Sequence, residues 1–123
     1  MITVTEFAFT AYPVTDLVRA RRFYEGLFHL KPTMVYENGG MGWVEYDVGG
    51  ATFALSNISA EWKPSAQGPC IAFEVDDFDG AIAAIRAAGH TFKFEPMTTG
   101  GCQMAGLLDS EGNSLTVHKR LKK

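Results

Sequence analysis

Apolar positions recur at helical spacing in two stretches of the chain. After Val14-Thr15-Asp16, the residues Leu17, Ala20, Tyr24 and Leu27 keep the helical period, while Arg19, Arg21, Arg22 and Glu25 fall on other faces. Thr15 or Asp16 stands where a side-chain oxygen caps the first turn. After Val75-Asp76-Asp77, the residues Phe78, Ala81, Ile82, Ile85 and Ala88 form a second apolar stripe, and Gly89 supplies a left-handed stop. Strand patterns fill the remainder. Phe7 to Val14 and Cys70 to Val75 run into the two helices. Met41 to Val48 and Ala51 to Asn57 flank Gly49-Gly50, a two-residue hairpin turn. Cys102 to Leu108 and Ser114 to Lys119 flank the longer turn Asp109-Ser110-Glu111-Gly112-Asn113, and weaker strands near Thr33 to Glu37 and Thr91 to Glu95 follow the helices.

Each half therefore reads strand, helix, strand, strand, strand, and the halves match in register. The capping residues Asp16 and Asp77 are 77 − 16 = 61 apart, and at that offset Ala11 meets Ala72, Val14 meets Val75, Ala20 meets Ala81 and His29 meets His90. Ser59 to Pro69, with two prolines and Gly68, reads as a linker. The pattern predicts one α+β domain over 1–123, built from two tandem βαβββ modules at about 1–58 and about 70–121, with the linker at about 59–69.

Composition narrows the partners. In 123 residues, 46% are apolar and 20% charged, which excludes a disordered chain. Eleven basic against 14 acidic residues give 11 − 14 = −3, so a dedicated nucleic-acid surface is not expected, although Lys119, Arg120, Lys122 and Lys123 make a short basic tail. No window approaches the roughly 18 unbroken apolar residues of a membrane span. The start, Met1-Ile2-Thr3-Val4-Thr5-Glu6, lacks the basic and apolar regions of a secretion signal. Two cysteines make no disulfide framework, and a reducing cytoplasm is the expected location. Gly39-Gly40 and Gly100-Gly101 lack the residues that would make a phosphate cradle, and three scattered histidines support no Ser-His-Asp arrangement.

Three segments carry a family resemblance: Val14-Thr15-Asp16-Leu17 through Arg22-Phe23-Tyr24-Glu25, then Ala72-Phe73-Glu74-Val75-Asp76-Asp77, then Asp109-Ser110-Glu111-Gly112-Asn113. On these the chain resembles the vicinal oxygen chelate superfamily, which includes glyoxalase I, bleomycin-binding proteins and extradiol dioxygenases. The resemblance implies two four-stranded sheets rolled into an eight-stranded cup, often completed in a homodimer. It also implies, for the enzymes of the family, a divalent metal held by side chains facing the cup. The family's ligand positions fall here on Phe9, Ala54, Cys70 and Thr116. Phe and Ala have no lone pair to give, Thr is a poor ligand, and Cys70 alone makes no site. His29 replaces the glycine that relatives usually carry after the first helix.

Strand alternation says what lines the cup instead. Phe7, Phe9, Ala11, Thr52, Ala54, Ser56, Cys70, Ala72, Glu74, Ser114, Thr116 and His118 share one side, joined by Trp43 and Glu45. Thr10, Tyr12, Val14, Ile71, Phe73, Val75, Leu115 and Val117 face the helices. The expected cavity is aromatic and rich in small residues, with Glu45, Glu74 and His118 as its ionisable groups. Each has a plainer alternative: His118 as a strand-end residue partly in water, Glu74 as a solvated carboxylate, Glu45 as the partner of a cross-strand base. Cys70 reads as an inert buried thiol. Two roles fit Trp62 in the linker, a lid or an interface anchor. Met41, Met97 and Met104 pad either the pocket or the core.

The expectation that follows is a small-molecule binding protein with no cofactor. It would take a planar or amphipathic, cation-tolerant ligand on Phe7, Phe9, Trp43, Glu45, Ala54, Trp62, Cys70, Glu74, Met104, Thr116 and His118. The alternative is a divalent-metal lyase, isomerase or dioxygenase, with Glu45, Glu74 and His118 as an unconventional ligand set. A third is an interaction module whose cup is filled by side chains.

Overall fold

The computed structural model describes residues 1–121; Lys122 and Lys123, the end of the basic tail, lie outside them. The chain divides into two compact units, Met1–Pro64 and the segment from Ser65 onward. In the first, β1 (Thr10–Pro13) leads to α1 (Leu17–Arg21), which continues as a π-helical segment (Arg22–Leu27), followed by β2 (Pro32–Asn38), β3 (Met41–Val48) and β4 (Ala51–Ser56). The sheet order is β1-β4-β3-β2, with β1 parallel to β4 and the other pairs antiparallel. In the second unit, β5 (Ile71–Glu74), α2 (Phe78–Ala87), β6 (Phe92–Thr98), β7 (Cys102–Leu108) and β8 (Ser114–Arg120) repeat the arrangement in the order β5-β8-β7-β6, with β5 parallel to β8. The repeat offset holds in the structure, since 71 − 10, 78 − 17 and 102 − 41 each equal 61. The fold is α+β, two tandem βαβββ modules.

Both helices start as the capping residues dictate. The Asp16 carboxylate accepts from the Arg19 amide at 3.0 Å, and Asp77 does the same for Gly80 at 3.0 Å. Gly49 and Gly50 both have positive φ, 60° and 88°, which is what a two-residue hairpin needs to match the twist of its strands. Gly39 and Gly40 close the β2–β3 hairpin in the same way, with φ of 63° and 85°. The long turn of module two is held by Asp109. Its carboxylate accepts from the Glu111 amide at 2.8 Å, the Asn113 amide at 2.9 Å and the Asn113 side chain at 3.2 Å. Asn113 Oδ1 in turn accepts from the Ser65 amide at 3.2 Å, which fastens the beginning of this module to its last hairpin.

Each core lies between a helix and one face of its sheet. Tyr12, Val14, Val44, Tyr46, Phe53 and Leu55 are buried on the helix side of the first sheet, beneath Leu17, Ala20, Phe23 and Tyr24. Phe73, Ala105, Leu107, Leu115 and Val117 do the same beneath Phe78 and Ile85. A π-helical turn takes in an extra residue, so it rotates the side chains that follow it. Phe23 and Tyr24 are both buried, while Leu27, expected in the apolar stripe, is only half-buried. Glu25 reaches back over the sheet, accepting from the fully buried Tyr46 hydroxyl at 2.8 Å and from Arg21 Nε at 2.7 Å.

The sequence pattern overreaches at its margins. Ala88, expected in the apolar stripe, is exposed: the helix stops at Ala87 and Ala88 is its C-cap. Thr10 is exposed at the end of the edge strand β1. The first strand was expected from Phe7, yet ladder pairing begins at Thr10 opposite Phe53, leaving Phe7 in irregular chain at 90% exposure.

Candidate functional site

Cross-strand register places the predicted site residues in rows on the sheet faces turned away from the helices. In module one, one row runs Met34, Glu45, Ala54, Ala11, and the next runs Tyr36, Trp43, Ser56, Pro13. Phe9, just before β1, lays its ring edge-on to Trp43 with centroids 5.0 Å apart and planes at 89°, the favoured geometry for an aromatic pair. The Trp43 indole N–H donates to Glu45 Oε2 at 2.8 Å. Phe9, Trp43, Glu45 and Ala54 are therefore gathered on one face. The expected cross-strand base for Glu45 is absent because its register neighbours are Met34 and Ala54; the indole takes that place. Trp43 is locked from two sides, by an aromatic edge and by a charge-assisted hydrogen bond.

Module two carries the corresponding rows Phe94, Gly106, Thr116, Ala72 and Met97, Met104, His118, Glu74. A side chain at Gly106 would collide with the Phe94 ring, which lies across the sheet at this point. His118 Nδ1 is 2.6 Å from Glu74 Oε1, and Glu74 Oε2 accepts from the Arg120 amide. The backbone N–H of Arg120, and then His118, hold the Glu74 carboxyl below the usual carboxylate range. Glu74, Met104, Thr116 and His118 are thus brought onto one face, with His118 22% exposed and Glu74 47% exposed.

Cys70, Trp62 and Met41 belong to neither set of rows. Cys70 is exposed, which corrects the expectation of a buried thiol: it precedes the edge strand β5, where no strand flanks it on the outer side. Trp62 is 42% exposed, in a bend where its amide donates to Ser59 O at 3.3 Å. Met41 and Met97 are exposed rather than packed in a core, and Met104 is half-buried. Sequence reading missed Met34, Tyr36 and Phe94 as neighbours of the site. Their signal was the hairpin register, which pairs them with Glu45, Trp43 and Gly106.

The donor set does not fit the divalent metal that the superfamily's enzymes imply. Phe9 is engaged as a ring against Trp43, Ala54 offers a buried methyl, Thr116 is buried with only a hydroxyl to give, and Cys70 is a single thiol. Among the described residues no three His, Cys, Asp or Glu side chains group as metal ligands.

This duplicated βαβββ architecture defines a class. Residues 6–117 match the profile described as the glyoxalase/bleomycin resistance protein/dioxygenase superfamily, and the chain belongs to that superfamily. Among solved structures it is similar to a glyoxalase/dioxygenase from Nostoc punctiforme, with a TM-score of 0.78 at 16% identity over 99% of each chain. It is also similar to TnmS3, an antibiotic binding protein from Streptomyces sp. CB03234, with a TM-score of 0.74 at 19% identity over 98% of this chain and 100% of that one. A lactoylglutathione lyase from Agrobacterium tumefaciens matches with a TM-score of 0.73 at 19% identity over 95% of each chain. These likenesses establish the shared fold. No curated protein matched the sequence. Among the described residues no helix is long and apolar enough to cross a membrane.

Proposed function

We propose that this chain is a small-molecule binding protein that works without a metal, holding a planar or amphipathic aromatic compound against the Phe9–Trp43 wall of module one. The observation that carries the reading is the fixed Trp43. Its ring is braced by Phe9 at 5.0 Å and its N–H is satisfied by Glu45 at 2.8 Å, so stacking on it costs little further ordering. Met34 and Tyr36, both exposed, are the cross-strand neighbours of Glu45 and Trp43 and extend this face toward the sheet edge. The Glu45 carboxylate favours a ligand with a cationic group. The chemistry of the donors at Phe9, Ala54, Cys70 and Thr116 supports enclosure over metal-assisted catalysis. Similarity in fold to an antibiotic binding protein is consistent with sequestration.

Calorimetric titration of metal-stripped protein with proflavine, a planar aromatic cation, tests this. Saturable binding is expected in chelator, weakened about tenfold in Trp43→Ala, since an aromatic contact contributes about 0.5–1.5 kcal/mol beyond its buried area. Binding that begins only when a divalent metal is added, or that is indifferent to Trp43→Ala, overturns it.

A further inference from the structure

The row Met97, Met104, His118, Glu74 contains more organisation than an apolar binding face requires. One Glu74 oxygen is pinned by the Arg120 amide and the other lies 2.6 Å from His118 Nδ1. An ionised carboxylate only accepts, so the proton in that contact belongs to Nδ1, and the neutral imidazole is fixed in the tautomer whose Nε2 carries a lone pair. No described residue bonds to Nε2. The imidazole is mostly covered, 22% exposed, so its ring is held while the outer nitrogen remains approachable. The floor around it is apolar: Met104 lies opposite His118, Met97 lies beyond, and Phe94 crosses Gly106 beside Thr116. Within module two the titratable and charged groups on this face are Glu74 from β5, Arg120 two residues along β8, and the Cys102 thiol of β7 paired with Arg120.

From this arrangement we infer that Glu74 and His118 form an oriented proton-accepting pair for a ligand bearing a mildly acidic hydroxyl, a phenol or an enol. The ligand's O–H bond breaks as the proton moves to Nε2. Its electron pair stays on oxygen, and the resulting oxyanion lies against an imidazolium whose other N–H faces the Glu74 carboxylate. Glu74 is the positioning residue and His118 the group that touches the ligand. The inference goes beyond the aromatic wall of module one, because it gives module two a chemistry of its own and stands on separate residues.

The probe is 4-nitrophenol, whose ionisation changes its absorbance near neutral pH. In excess protein the apparent pKa of the bound probe is expected to fall by about one unit, a tenfold shift in its proton equilibrium. Glu74→Gln should remove at least half of that shift, and His118→Gln should abolish it. Nitrogen NMR of the free protein should show His118 protonated on Nδ1, with that preference lost in Glu74→Gln. The ether 4-nitroanisole, which has no proton to give, should bind more weakly and with the same affinity to wild type and Glu74→Gln. If Glu74→Gln does not fold, His118→Gln reads the same shift. An unshifted or raised probe pKa, no binding of 4-nitrophenol, or a shift that persists at its wild-type size in both variants overturns the inference. Proflavine binding is a separate measurement, so failure here is distinguishable from failure of the module-one reading.

Discussion

Tyr46 illustrates how one side chain can bind a helix to its sheet. It is fully buried, yet its hydroxyl donates to Glu25 at 2.8 Å, and Glu25 also takes the Arg21 Nε–H at 2.7 Å. Burial, and then the Glu25 carboxylate, push the phenol well above its ordinary pKa. A raised folded-state pKa means that the protonated form is favoured by folding. The associated stability is complete below the ordinary tyrosine pKa and is lost as pH climbs from there toward the folded-state value. Tyr46→Phe should therefore cost about 1.5–3 kcal/mol in urea unfolding at neutral pH, the usual worth of a hydrogen bond to a charged group. Its stability should also fall less steeply than that of wild type at alkaline pH.

At the scale of elements, the exit from the first helix carries a measurable strain. His29 has φ of 56°, the one left-handed non-glycine among the described residues. A Cβ in that region costs about 1 kcal/mol, so His29→Gly should raise the thermal midpoint or leave a gain of about 0.5–1 kcal/mol in denaturant. A loss of stability would mean that the imidazole makes a compensating contact. Much of this architecture was readable from the residues: the capping Asp16 and Asp77, the Gly49-Gly50 hairpin and the repeat offset. The helix-facing residues Tyr12, Phe73, Leu115 and Val117 followed from alternation alone, because a half-buried strand writes its geometry with period two. Other features left no such trace. A π-helical turn has no composition of its own, so the segment Arg22–Leu27 was not foreseen. The Glu45–Trp43 and Glu74–His118 contacts depend on rotamers, and alternation assigned only their faces. Exposure of Cys70 follows from the position of β5 at a sheet edge, which is a property of strand order.

For the whole molecule, the exposed edge of the first sheet bears on assembly. β2 is an edge strand exposed along its length, and Met34, Val35, Tyr36 and Met41 present large apolar groups there. Such an edge is open to pairing or needs covering. We propose a homodimer that covers it, as the family resemblance implies. Light scattering after size exclusion should give twice the monomer mass of 13.4 kDa, and Tyr36→Lys should shift the population toward monomer. A single monomeric species at high concentration in the wild type would dismiss this arrangement.

The hydrogen bond from Trp43 to Glu45 has an optical consequence. The chain has two tryptophans, and Trp62 is on the surface, so replacing Trp62 with phenylalanine leaves a single indole emitter beside a carboxylate and a phenyl edge. The protein thus carries its own fluorophore at the face where a flat guest would lie. Quenching of that one signal follows occupancy in real time, with no label attached.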